Sequence, residues 1–237
     1  MLTTTLYENI SLLKELNEKQ LAVLIDPDKF SEENTNTFLN NLPFNTSHIF
    51  VGGSTVGANK TEKTVRVIKQ NSNLPVVLFP GDHSQITEEA DALLFLSLLS
   101  GRNPEYLIEQ QVKSVNKLRN SNLEVIPTGY ILIDGGRESA VERISNTQPI
   151  SQNNLELIVN TALAGQYSGK KIIYLEAGSG ALHHVSLQII REVNKALSIP
   201  LIVGGGISSI HQLTSIYEAG ADMAVIGTAF ETGNFSN

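Results

Sequence analysis

Eight short apolar runs recur along the chain, and they constrain its fold more than any other feature. They are LAVLI (21–25), HIFV (48–51), PVVLF (75–79), ALLFLSL (92–98), VIPTGYILI (125–133), KIIYLE (171–176), PLIVGG (200–205) and MAVIG (223–227). Hydrophobicity that runs on without alternating marks strands covered on both faces, as in parallel sheets flanked by helices. The segments between them carry helical spacing instead. Ile108, Val112, Val115 and Leu118 share one face after Pro104, a residue suited to a first helical turn. Leu155, Ile158, Ala162 and Leu163 repeat the pattern, as do Leu187, Ile190, Val193 and Leu197, and Ile210, Leu213, Ile216 and Tyr217. Leu6, Ile10, Leu13 and Leu16 predict an extra helix ahead of the first strand.

Eight strands alternating with helices predict a (β/α)8 barrel, with a doubly wound open sheet as the alternative. No linker or shift in composition divides the 237 residues, so one domain over 1–237 is expected. One connection is irregular. PGDHSQITEEAD (80–91) is too short to hold a strand cap and a barrel helix, so the helix after the third strand is expected to be replaced by extended chain.

Composition narrows the function. The net charge of −7 gives nucleic-acid binding no general electrostatic support. An anionic substrate therefore needs a local positive site made from backbone amides, helix ends or a metal. With no Cys, disulfides, thiolate metal sites and Cys nucleophiles are excluded. The first residues, MLTTTLYENI, lack the basic and apolar regions of a signal peptide, and no apolar stretch is long enough to span a bilayer, so a cytoplasmic location is expected.

In such barrels the chemistry sits where the strands end. Those ends read Asp26-Pro27-Asp28-Lys29, Gly52-Gly53-Ser54-Thr55, Phe79-Pro80-Gly81, Glu176-Ala177-Gly178-Ser179-Gly180, Gly204-Gly205-Gly206 and Gly227-Thr228. Glycine turns let N–H groups approach an anion without a Cβ in the way. Gly205, Gly206, Gly227 and Thr228, with Ser179, predict a phosphate site, against the plainer reading that they only make tight turns. Asp26 and Asp28 offer oxygen ligands suited to Mg²⁺ or, equally, an Asx turn. The Ser54 hydroxyl ends the neighbouring strand and could reach the same ion. Glu176 closes an apolar strand and reads as a base, a hydroxyl-binding group or a salt bridge, with Tyr174 on its face. Arg137 could approach a diphosphate, His83 stays open, His48 reads as structural, and the adjacent His183 and His184 do not make a ligand pair.

The motifs LIDPDK (24–29), VGGS (51–54), LFPG (78–81), TGYILI (128–133), YLEAGSGA (174–181), VGGGI (203–207) and ADMAVIGTAF (221–230) together resemble the geranylgeranylglyceryl phosphate synthases and their heptaprenylglyceryl relatives. The resemblance implies a barrel lacking the helix after strand three, and a transferase that couples sn-glycerol 1-phosphate to geranylgeranyl diphosphate with Mg²⁺. It implies Asp26 and Ser54 as metal ligands and Glu176 and Asp26 as catalytic residues. It implies a glycerol phosphate site of Tyr174, Leu175, Glu176, Ala177, Gly178, Ser179, Gly180, Gly205, Gly206, Gly227 and Thr228. Many members have Asn at this position; Thr228 keeps the backbone amide but not the Asn side chain. The heptaprenyl subgroup has Lys at the position of Leu24, so this chain resembles the geranylgeranyl subgroup more. A homo-oligomer, and transient contact with membrane lipid through the product, are expected as well. Rival readings are a longer prenyl donor, a sugar-phosphate isomerase or lyase, and a barrel that binds phosphorylated ligands without turnover.

Overall fold

The computed structural model describes residues 4–236. Eight parallel strands close into a barrel in chain order: β1 (Gln20–Ile25), β2 (Thr46–Val51), β3 (Val76–Leu78), β4 (Ala92–Leu98), β5 (Glu124–Leu132), β6 (Ile172–Glu176), β7 (Leu201–Gly204) and β8 (Met223–Ile226). β8 pairs with β1 from Gln20↔Met223 to Val23↔Ile226, so the barrel rather than the open sheet is the fold.

The α-helices are α1 (Leu6–Glu15), α2 (Thr35–Asn40), α3 (Lys60–Asn71), α4 (Gln110–Leu118), α5 (Ala140–Ser145), α6 (Leu155–Tyr167), α7 (Leu187–Ala196), α8 (Ile210–Glu218) and α9 (Thr228–Glu231). Several begin at caps legible in the sequence. Thr5 and Glu8 form a capping box at α1, Ser139 and Glu142 another at α5, and Ser186 and Ser209 cap α7 and α8. The predicted N-terminal helix lies under the barrel, where Ile10 packs on the lumen residues Ala22 and Met223. Leu16, at the end of its stripe, is exposed, as is Ile210 at the start of α8.

Apolar side chains fill two layers. Phe50, Tyr130, Tyr174 and Ile202 pack inside the lumen, while Leu175, Ile190, Val203 and Ile216 pack between sheet and helices. That division follows from period-two alternation, which sends neighbours on one strand to opposite faces.

The region after β3 departs from a regular barrel as the sequence predicts. Between β3 and β4 there is no α-helix, only extended chain and a 3₁₀ turn over His83–Gln85. β3 itself is shorter than its apolar run. It matches β4 at two positions, Val77↔Ala92 and Leu78↔Leu93, whereas β4 and β5 match from Ala92↔Glu124 through Leu98↔Tyr130. Above Leu78 the barrel wall is therefore open.

That opening changes which face of one helix is buried. Ile108, Val112 and Val115 do not pack on the barrel but stand 54%, 59% and 48% exposed, and α4 buries Gln111 and Ser114 instead. The reason is local. The β4 edge at the open seam has carbonyls with no strand beside them, and a buried carbonyl needs a donor. The Gln111 side-chain amide donates to the Leu96 carbonyl and to Ser97 Oγ. Polar residues thus hold α4 to the wall, Leu118 at the end of its stripe packs on the core, and Ile108, Val112 and Val115 are turned away.

Candidate active site

The C-terminal ends of the strands surround a cavity of about 1490 Å³, into which β1, β2, β3, β5, β6, β7 and β8 all send residues. Its floor is the aromatic column of the lumen. Phe79 stacks on Tyr174 at 5.2 Å between ring centroids, and Tyr174 on Tyr130 at 5.4 Å.

One wall is main chain. Gly205 and Gly206 take φ values of 82° and 70°, the left-handed region that glycine enters without cost. A Cβ on Gly205 would stand 2.4 Å from Glu176 Oε1, and one on Gly206 would stand 2.8 Å from the His184 backbone N. Among the described residues, the N–H groups of Ser179, Gly180, Gly205, Gly206 and Gly227 donate to no acceptor in the chain. Ser179 Oγ and Thr228 Oγ1 lie 2.8 Å apart, joining the loops after β6 and β8 across the loop after β7. Unpaired amides beside two hydroxyls are what a phosphate needs. Among the described residues the one cationic side chain on the cavity is Lys29, and it is already paired with Asp26 (3.3 Å) and Glu231 (3.1 Å).

Next to this wall stands Glu176. β6 turns Tyr174 and Glu176 inward, and the register sets Glu176 against Gly204. Their oxygens crowd the bare Cα of Gly204, where a Cβ would lie 2.3 Å from Tyr174 Oη and 2.9 Å from Glu176 Oε2. Glu176 is buried, and Gly178 N donates to its Oε1 at 2.7 Å. Burial pushes its pKa up to about 7, against the opposing hydrogen bond from Gly178. A carboxylate poised near neutrality can take a proton from a bound hydroxyl.

The β1 end forms the third wall. Asp26 Oδ1 accepts from Asp28 N at 3.0 Å, so the Asx turn is real, and the carboxylate still faces the cavity. A Cβ on Gly53 would stand 3.2 Å from that same oxygen, which places the β2 end, and Ser54 after it, close by.

The seam above Leu78 leads out of the mouth into a second cavity of about 800 Å³. Its walls are apolar: Leu94, Leu96 and Leu98 from β4, Ile86 from the loop after β3, Tyr106 from the approach to α4, and Val141 from α5. Tyr106 sits on a single π-helical turn, Glu105–Glu109, an irregularity common at functional sites. Phe79, Tyr130, Gly53 and Ser54 line both cavities and mark where they meet.

Comparison with known proteins identifies the kind of barrel that joins a polar cavity, an amide nest, a buried acid and an apolar annex. The model of the PcrB family matches residues 14–235. The chain belongs to the PcrB family. Over 221 residues it is 61% identical to the geranylgeranylglyceryl phosphate synthase of Zunongwangia profunda, covering 93% of this chain and 94% of that protein. It is 40% identical to the enzyme of the same name from Pyrococcus furiosus, covering 92% and 88%. Among solved structures it is similar to the (S)-3-O-geranylgeranylglyceryl phosphate synthase of Thermoplasma acidophilum in complex with its substrate sn-glycerol-1-phosphate. The TM-score is 0.88 and the identity 34%, over 96% of this chain and 92% of that one.

Within this PcrB-family barrel most residues expected from the sequence meet at the mouth. Asp26, Ser54, Tyr174, Glu176, Ser179, Gly180, Gly205, Gly206, Gly227 and Thr228 all line it. Leu175, Ala177 and Gly178 do not. Strand alternation points Leu175 outward, Ala177 packs in the layer under the helices, and Gly178 serves through its bond to Glu176. Asp28 turns away to Lys60 (2.8 Å) and Gly57 N (3.2 Å), and these contacts hold its carboxyl below the ordinary range. Arg137 braces the Gly180 carbonyl at 3.2 Å. His83 binds Gln110 and lines the apolar cavity, and His48 is buried against Ser47 with its pKa pushed down to about 4 by burial. Glu231 was not expected from the sequence. It accepts from Asp26 N at 3.0 Å and holds Lys29. Its signal was an acid one turn beyond Gly227-Thr228.

Proposed function

We propose that the chain is a geranylgeranylglyceryl phosphate synthase, joining sn-glycerol 1-phosphate to geranylgeranyl diphosphate through an ether bond and releasing diphosphate. The observation that carries this reading is the position of Glu176. A buried carboxylate with a pKa near 7 stands between the unpaired amides after β6, β7 and β8 and the entrance to the apolar cavity.

The steps follow from that placement. The glycerol phosphate dianion takes the amides of Ser179, Gly205, Gly206 and Gly227, where it meets no carbon side chain from the two left-handed glycines. This holds the glyceryl arm against Glu176 and Tyr174. Glu176 accepts the proton of the attacking hydroxyl as its oxygen bonds to C1 of the prenyl chain. The C1–oxygen bond to diphosphate breaks, and its electron pair leaves with the diphosphate. The hydrocarbon tail lies in the cavity beyond Phe79 and Tyr130, away from water. The name and substrate complex of the Thermoplasma relative support the same assignment.

The residues present fit a Mg²⁺ ion. Among the described residues no three His, Asp or Glu side chains converge, so no all-protein cage exists. Mg²⁺ rarely uses one, taking one or two carboxylates and completing its shell with water and substrate phosphate. Asp26, with the Ser54 hydroxyl beside it, would hold it, and the ion would neutralise the leaving diphosphate.

Among the described residues no helix is long and apolar enough to cross a membrane. We place the work of the enzyme in the cytoplasm, where it meets lipid through its product. The direct test incubates the purified chain with labelled sn-glycerol 1-phosphate, Mg²⁺ and C10, C15, C20 and C35 prenyl diphosphates. A C20 ether product is expected. Preference for C35 would make it a heptaprenyl enzyme, and phosphate binding without turnover of any donor would refute the synthase reading.

A further inference from the structure

β8 meets β1 where the barrel closes, and the loops above that pair are tied together by one side chain. The ladder between the two strands ends at Val23↔Ile226. Beyond it the chain from β8 gives Gly227 and Thr228 to the nest and turns through α9, while the chain from β1 gives Asp26 to the cavity. Among the described residues, every hydrogen bond that crosses between residues 26–30 and 227–232 ends on Glu231. Its Oε1 accepts from Asp26 N at 3.0 Å and its Oε2 from Lys29 Nζ at 3.1 Å. A second tie is apolar. Phe230 packs edge-on against Phe38 of α2 at 5.0 Å between ring centroids, and Phe38 against Phe30 at 5.9 Å.

A plain surface ion pair does not account for this. The Lys29 side chain is 56% exposed, and a bridge to so open a lysine contributes little. The Glu231 side chain is only 13% exposed, and its other oxygen takes a main-chain amide, a charge-assisted bond that fixes backbone. That amide belongs to Asp26, whose carboxylate stands at the proposed metal position. The Asp26 carbonyl accepts from Lys29 N and Phe30 N, and its Oδ1 accepts from Asp28 N. With Glu231 in place the residue is held at N, O and Oδ1, which leaves Oδ2 facing Lys29 at 3.3 Å.

We propose that Glu231 is a positioning residue that couples the two substrate sites, by holding the Asp26 main chain to the short helix that follows the nest. The proposal rests on the synthase reading of the nest and of Asp26. A ligand at either site fixes one of the two loops, and through Glu231 the other loop is fixed with it. The second ligand then meets a loop already ordered. By linkage each ligand tightens the other by the same factor. A change confined to one site scales that ligand's affinity and leaves the factor alone, so the KM for the other substrate, measured at saturation, does not move.

Calorimetry tests the coupling without turnover, because sn-glycerol 1-phosphate and inorganic pyrophosphate, the donor's leaving group, do not react with each other. In saturating Mg²⁺ and pyrophosphate the wild type should bind glycerol phosphate about tenfold tighter than in their absence, and the reverse titration should give the same factor. Glu231→Ala, with an unchanged circular dichroism spectrum, should bind glycerol phosphate alone as the wild type does and show no tightening. Glu231→Gln keeps an acceptor for Asp26 N and should restore most of the factor, a recovery that a merely space-filling role would not predict to depend on that bond. A wild type without tightening, a Glu231→Ala that retains it, or a Glu231→Gln that behaves like Glu231→Ala would overturn the coupling. A wild type that binds no glycerol phosphate at all would overturn the synthase reading, and the coupling with it.

Discussion

At the ends of β6, β7 and β8 the groups that face the mouth are main-chain amides, exposed by glycines with no side chain to cover them. At the seam between β3 and β4 the cavity is made of Leu, Ile, Phe and Tyr side chains, exposed because a strand stops early and a helix is missing. One region gains its function by omitting atoms within the fold, the other by omitting an element of it. The two also recognise differently. Oriented amides fix the position of a small anion to within a hydrogen bond. An apolar groove measures length, since each buried CH₂ contributes about 0.8 kcal/mol wherever it lies. Glu176 stands where the two meet, so changes there should cost most.

Glu176→Gln keeps the volume and removes the base. kcat should fall by about 10²–10⁴, the usual contribution of general-base help, with both KM values little changed. A wild-type kcat would reduce Glu176 to a hydroxyl-binding or structural group. The wild-type kcat/KM should rise with pH through about 7 as Glu176 ionises. Stability should move the opposite way. Below about 4.5 the group is protonated in both folded and unfolded chains. Between about 4.5 and 7 the folded chain keeps a proton that the unfolded chain has lost, so stability falls as pH rises. The loss is on the order of 3 kcal/mol by pH 8. Urea titrations of the wild type and Glu176→Gln across this range check the sign: the gap should open only above pH 4.5.

Asp26→Asn tests the metal side of the junction. Losing one charge-assisted contact costs about 1.5–3 kcal/mol, or roughly 10–150-fold in kcat/KM. Excess EDTA should mimic it in the wild type, and the variant should gain nothing from added Mg²⁺. Full activity in EDTA would remove the metal from the reading.

Which of these features was legible in the sequence depended on how each region is made. The nest was legible because only glycine serves at Gly205 and Gly206, so the requirement is written in residue type. Glu176 stood out as an acid closing an apolar strand. The missing helix was legible as a short connection, and the seam followed from it. The orientation of α4 was not. Ile108, Val112 and Val115 have the spacing of an inward face, and periodicity cannot say which way a stripe points. That was decided by the Leu96 carbonyl, whose need for a donor arises from a gap three-dimensional in origin. Glu231 was missed for a similar reason, since its role depends on the barrel bringing residue 231 beside Asp26.

The groove should respond to length rather than to position. Ser114 lines its α4 wall. Ser114→Phe should fill that part and move the preferred donor from C20 toward C10–C15, lowering kcat/KM for C20 about tenfold or more through lost burial. The KM for glycerol phosphate should not move. An unchanged length profile would place the tail elsewhere.

The smallest effect is expected at the nest, where several amides share one anion. Gly206 is a poor place to test it. Its φ is 70°, and a Cβ there would stand 2.8 Å from the His184 backbone, so Gly206→Val would disturb the loop as well as the site. Gly227 separates the two. Its φ of −130° lies outside the left-handed region, and a Cβ there would stand no closer than 3.6 Å to Leu24. Gly227→Ala should fold normally and hinder one amide among several. Charge-assisted hydrogen bonds contribute about 1.5–3 kcal/mol each, so the KM for glycerol phosphate should rise about tenfold at constant kcat. The KM for the prenyl diphosphate should stay put, since the groove lies on the opposite side of Tyr130. A parallel rise in both KM values would mean that the two regions are not separate sites, and a wild-type KM would take Gly227 out of the nest.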